Sequence, residues 1–135
     1  MREIKFRGFG KDKKQWIYGS LLDERSVRIV AIQDDACHVW EVEPESVGEF
    51  TGVCNFEGRA IYEGDILRKR DYLPWRTHDT GVVFWHPGEC RWCVNMSDGL
   101  VFSLTSRKTW SWKVIGNMHD NAEFLTEVAN AENKT

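Results

Sequence analysis

Short runs of β-branched and aromatic residues, each cut off after a few positions by Gly, Asp, Asn or Pro, constrain the fold of this chain more than any other feature. Runs of that length and composition suit strands, and the interruptions supply turns. Glu3 to Phe9 and Gln15 to Leu22, joined by Gly10-Lys11-Asp12-Lys13-Lys14, read as a hairpin. Alternation of Ile4 with Phe6, and of Trp16 with Tyr18, points those four residues inward. Ser26 to Gln33 and Cys37 to Glu43 form a second hairpin across Asp34-Asp35-Ala36, stopped by Pro44, which cannot donate to a ladder.

Past Phe50-Thr51-Gly52 the spacing changes. Asn55-Phe56-Glu57-Gly58 reads as a turn, and a strand through Arg70 follows Ile61-Tyr62-Glu63-Gly64-Asp65. A loop of large residues, Asp71 to Thr80, precedes strands at Gly81 to Trp85, Arg91 to Met96 and Leu100 to Leu104. Asp98-Gly99 is a strong hairpin signal because both central positions tolerate positive φ. A last strand, Ser111 to Ile115, leads to a short C-terminal helix with Asn121 as its N-cap and Glu123 in its first turn. The expected fold is mostly β. Antiparallel hairpins in residues 1–52 pack with a small SH3-like barrel in residues 53–125, and residues 126–135 form a fraying helical tail.

With 135 residues, the chain can bury roughly two-thirds of its unfolded surface. Met1 to Arg7 mixes charge with apolar residues and lacks the continuous apolar stretch of a secretory signal, and no segment has the length of a membrane span. A cytoplasmic, non-membrane protein with reduced cysteines is therefore expected.

Lys5-Phe6-Arg7, Trp16-Ile17-Tyr18-Gly19, Val47-Gly48-Glu49-Phe50-Thr51-Gly52, Gly58, Ile61-Tyr62-Glu63-Gly64-Asp65-Ile66, Gly81-Val82-Val83 and Val114 through Asn121 occur in order and at the spacing of one family pattern. The chain resembles the YopX family from its start to about Leu125. That resemblance implies a β-rich fold with an SH3-like part and a source in phages and prophages, hence a bacterial host cell, and it carries no established activity. Phe9-Gly10 and Ala122 depart from the family pattern.

Candidate chemistry is sparse. Cys90-Arg91-Trp92-Cys93 has the C-x-x-C spacing of zinc and redox sites. On a strand, however, positions i and i+3 face opposite ways, so free thiols are the expectation for these two and for Cys37 and Cys54. His38, His86 or His119 would have to complete a zinc site. Glu63-Gly64-Asp65 and His119-Asp120 hold acid and base groups, but the glycine and aspartate are what a turn opening a strand requires. No nucleophile motif, phosphate loop or ligand triad accompanies them. A non-enzymatic protein without a cofactor or bound metal is expected, with a zinc-dependent hydrolase as the remote exception.

Two binding readings follow. Between Ile66 and Lys113 eight basic residues face four acidic ones, in a chain of net charge −3. Arg68, Lys69, Arg70, Arg76, Arg107 and Lys108, interleaved with aromatics, suit a nucleic-acid surface. The seven tryptophans suit a protein partner, from phage or host, or a second copy in a homo-oligomer. Trp75 lies in a loop, and Trp110 and Trp112, two apart, share one strand face. Trp85 and Trp92, flanked by apolar strand residues, are expected in the core. Protein binding through Trp75, Trp110 and Trp112 is the favoured reading, with nucleic acid as the alternative.

Overall fold

The structure, a computed structural model, describes residues 2–69, 80–105 and 112–122. It divides into two compact units, Met1–Gly52 and Val53–Thr135. The strands are β1 (Phe6–Phe9), β2 (Trp16–Glu24), β3 (Ile29–Gln33), β4 (Val39–Glu41), β5 (Gly48–Cys54), β6 (Ala60–Tyr62), β7 (Asp65–Lys69), β8 (Thr80–His86), β9 (Arg91–Met96), β10 (Val101–Ser103) and β11 (Trp112–Asn117). The protein is thus mostly β, with two antiparallel sheets, and the expected C-terminal helix lies outside the described residues beyond Ala122.

In the first unit β1 to β4 form a meander, and β5 pairs with the free side of β1, giving the order β4-β3-β2-β1-β5. Both expected hairpins form, with β1, β3 and β4 shorter than expected and β2 running on to Glu24. The phase of β2 differs from expectation: Ile17 is buried, whereas Tyr18 is 42% exposed and Ile4 63% exposed. Gly8 lies opposite Ile17, and a Cβ there would meet Val42 Cγ2 at 2.8 Å and Ile32 Cδ1 at 3.1 Å. The missing side chain thus lets Val42 and Ile32 close over Ile17, with Phe6, Leu21, Val30, Trp40 and Val47 packed around them. Because strand side chains alternate, burying Ile17 sends Trp16 and Tyr18 to the opposite face. Pro44 ends the extended segment as expected and opens a single 3-10 turn, Pro44–Ser46. Ser46 Oγ accepts the Phe9 amide at 2.7 Å and donates to the Glu43 carbonyl at 2.6 Å, pinning that turn to β1.

Three hairpin loops share one wiring. In Asp34–His38, Asn55–Arg59 and Met96–Leu100, the fourth residue donates to the first carbonyl and the first residue donates to the last carbonyl. This is a type I turn followed by one left-handed residue. Gly58 (φ 79°) and Gly99 (φ 89°) fill the left-handed position in two of them, and Cys37 (φ 65°) fills it in the third. At the Asp98-Gly99 turn, where the expected hairpin forms, Gly99 takes the positive φ. A side chain in that conformation costs on the order of 1 kcal/mol, and the Cys37 side chain is exposed. Cys37→Gly is therefore expected to raise the unfolding free energy by about 0.5–1 kcal/mol, read from urea denaturation. An unchanged or lower midpoint would show that the thiol makes a compensating contact.

In the second unit the strand order is β10-β9-β8-β7-β11, so the last strand in sequence returns beside the first of the sheet. Among the described residues no ladder joins β10 to β11, so these pairings do not close a barrel. Ile61, Leu67, Val83, Val94, Met96, Leu104, Trp112 and Val114 form the core, with Val53, Trp92 and Phe102 packed against it. Trp112 is only 2% exposed, which removes it from the proposed partner surface. Its register opposite Lys69 on β7 turns the indole inward, edge-on to Phe102 at 6.3 Å. Trp85 corrects an expectation in the other direction. It is 41% exposed and stacks edge-on against its cross-strand neighbour Trp92 at 5.1 Å.

Candidate functional site

The residues singled out for chemistry are largely absorbed by local structure. Cys90 sits in the β8–β9 turn at φ 51°, exposed, and Cys93 is fully buried on β9. Among the described residues no three His, Cys, Asp or Glu side chains converge to hold a metal ion. Asp65 is buried, and its Oδ2 accepts the Tyr62 amide at 2.8 Å, closing the turn that opens β7. Gly64 receives the Met118 amide at 2.8 Å, and Asn117 lies opposite Asp65 in the β7–β11 ladder. The two sequence blocks around Gly64 and Asn117 thereby form one corner.

That corner is knitted by short polar side chains. Asn117 Oδ1 accepts the Asp120 amide at 2.9 Å, and its Nδ2 donates to Asp120 Oδ2 at 3.2 Å. His119 Nδ1 lies 3.2 Å from Asp120 Oδ1. Asn121, expected as a helix cap, turns its Oδ1 back to accept the Asn117 amide at 3.1 Å. A Cβ on Gly116 would collide with the Asn121 amide, which explains a glycine at that point. Side chains of this length compete well for backbone groups in turns, and these do so.

Of the proposed nucleic-acid residues, Arg68 is exposed and faces exposed Lys113 across the β7–β11 ladder. Lys69 lays its ammonium over the Phe102 ring at 4.9 Å. Arg70, Arg76, Arg107 and Lys108 lie outside the described residues, as do Trp75 and Trp110.

The structure adds a site that sequence reasoning missed. In the first unit a groove of about 350 Å³ opens between the loop following β1 and the loop following β3, over Trp16, Tyr18 and Trp40. The amide of Lys11 donates to the Glu41 carbonyl at 3.0 Å, and its ammonium meets Glu41 Oε1 at 3.1 Å. These bonds draw the first loop across to β4 and set Lys13 Nζ 4.2 Å from the centre of the Trp40 ring. On the other wall, Asp34 Oδ2 accepts the Trp40 indole N–H at 2.8 Å, while Oδ1 accepts the amides of Ala36 and His38 at 3.0 and 2.9 Å. The indole bond above all, seconded by the amides, holds the Asp34 carboxyl below the usual aspartate range. Trp16 packs against Phe9, edge-on at 5.6 Å, and against the Arg7 guanidinium, 4.8 Å from its ring centre. The result is an aromatic floor held rigid by its neighbours, between a basic and an acidic wall. The Trp16-x-Tyr18 alternation was the available signal, but it was assigned to the wrong face.

Two antiparallel sheets, with paired turn motifs and an aromatic groove, define an all-β protein of two compact units. The chain belongs to the YopX protein family, whose family model matches residues 5–126. The crystal structure of protein EF1440 from Enterococcus faecalis has a similar fold, with a TM-score of 0.64 at 23% sequence identity over 93% of this chain and 99% of that one. No curated protein matches the sequence. Among the described residues no helix is long and apolar enough to cross a membrane.

Proposed function

We propose that this chain is a non-enzymatic accessory protein of a phage or prophage, acting in the bacterial cytoplasm by binding another protein. One observation carries the reading: Trp16, Tyr18 and Trp40 line a groove whose rings are prefixed by Phe9, Arg7, Lys13 and Asp34. Rigid aromatic anchors lose little entropy on binding and dominate interface energetics. The order β10-β9-β8-β7-β11, in which the last strand returns beside the first, supports reading the second unit as SH3-like, and Trp75 and Trp110 remain sequence-based candidates for further contacts.

The test is capture from phage-infected lysate with the full chain as bait, with and without nuclease and across a salt series. Trp16→Ala and Tyr18→Ala are each expected to weaken recovery of the partner by about tenfold or more, roughly 1.4–2 kcal/mol, at unchanged circular dichroism. Recovery that survives both substitutions but falls with Trp75→Ala or Trp110→Ala would move the surface elsewhere.

The nucleic-acid alternative is favoured by one arrangement, the exposed Arg68 and Lys113 side by side on β7 and β11. It requires recovery to vanish with nuclease and to fall steeply with salt.

A further inference from the structure

In an antiparallel meander alternate turns leave the sheet at the same end, so the loops after β1 and after β3 flank one another. The first carries Lys11, Lys13 and Lys14 against a single Asp12, and the second carries Asp34 and Asp35. Three of these charges are engaged within the chain: Lys11 on Glu41, Lys13 on the Trp40 ring and Asp34 on the Trp40 indole. Lys14 and Asp35 are exposed, and among the described residues neither side chain has an ion pair or hydrogen bond. Lys14 is presented by a left-handed backbone at φ 53°, closed by its own amide on the Gly10 carbonyl at 3.1 Å. Between the two loops lies the aromatic floor with Tyr18 exposed.

A uniformly charged partner fits this face poorly. Phosphates would meet Asp35, and a polybasic peptide would meet Lys14. A face with a basic wall and an acidic wall on either side of an apolar floor is instead complementary to itself. A twofold axis through the floor places the basic loop of each copy across the acidic loop of the other, so every contact is made twice. We infer that the groove is the contact between two copies of this chain, with the Trp16 and Tyr18 rings packed near the axis and Lys14 of each copy opposite the partner's Asp35. This rests on the groove being a protein-binding surface and names its partner.

The experiment is sedimentation equilibrium of the full chain and its charge variants. The wild-type chain is expected to dimerise below about 100 µM and to dissociate more readily as salt rises. Lys14→Glu and Asp35→Lys each place like charges at both contacts, and each is expected to raise the dissociation constant by about tenfold or more. An equimolar mixture of the two variants places opposite charges at both contacts and is expected to restore the dimer. Restoration also shows that both variants are folded.

A wild-type chain monomeric at about 100 µM, variants that dimerise as the wild type does, or a mixture that fails to recover would each overturn the inference. A monomeric chain that still captures a different protein through Trp16 would overturn this inference alone. If neither dimer nor Trp16-dependent capture is found, the binding reading of the groove falls with it.

Discussion

Gly19→Ala is expected to lower the unfolding free energy by about 3 kcal/mol or more, enough to leave a marginally stable domain largely unfolded. Gly19 lies on β2 opposite Phe6 of β1, at a φ of 157°. A Cβ at that position overlaps the Gln33 carbonyl oxygen, well short of van der Waals contact distance, and lies 2.9 Å from the carbonyl carbon and 3.2 Å from the Asp34 Cα. Every one of those atoms is backbone, so no rotamer change relieves the overlap. Only parting β2 from β3 does, and β3 runs directly into the Asp34 turn that forms the acidic wall of the groove. The same substitution should therefore abolish groove binding wherever any folded protein survives. Thermal and urea unfolding followed by circular dichroism gives the measurement, with Ser20→Ala, exposed and next in sequence, as the control expected to stay within about 0.5 kcal/mol. A Gly19→Ala chain as stable as that control would show that the two strands accept a wider spacing than the structure has.

Trp112→Ala comes second, with an expected loss of about 3–5 kcal/mol, the range for a large aromatic removed from a packed interior. The indole is 2% exposed in a core with Leu67, Val83, Val94, Met96 and Val114, and the β11–β7 and β7–β8 ladders resist collapse of the strands into the space. Lys113→Ala, one position along on the exposed side of β11, should by comparison be nearly silent. The contrast between adjacent residues separates a core role from a surface role. If Trp112→Ala kept its denaturation midpoint and lost partner capture instead, the side chain would belong to the binding surface after all.

These two residues illustrate different degrees of legibility. Turns were readable because their physics is local: Asn55, Asp98, Asp65 and Asn117 bond to amides two to four residues away, and such bonds depend only on nearby sequence. Hairpin partners followed from those turns. The inward phase of β2 was not readable, because Trp16, Ile17 and Tyr18 are all suited to burial and periodicity gave no reason to prefer one face. Gly8 and Val42, twenty-five residues from Ile17 in the case of Val42, made that choice.

The groove escaped for the same reason on a larger scale. Lys13 and Asp34 act on one indole from opposite sides, yet they belong to different hairpins, and only the strand order and the Lys11–Glu41 bonds bring them together. Their residue types carry no trace of that meeting. The β character and the turn positions could thus be read from residue order alone, because both rest on contacts short in sequence, and the family pattern could be read from its motifs and their spacing. Which tryptophans are buried, and that three aromatic rings line a charged groove, was decided only by the tertiary structure, because strand register and loop docking assign a side chain to a face through residues distant along the chain.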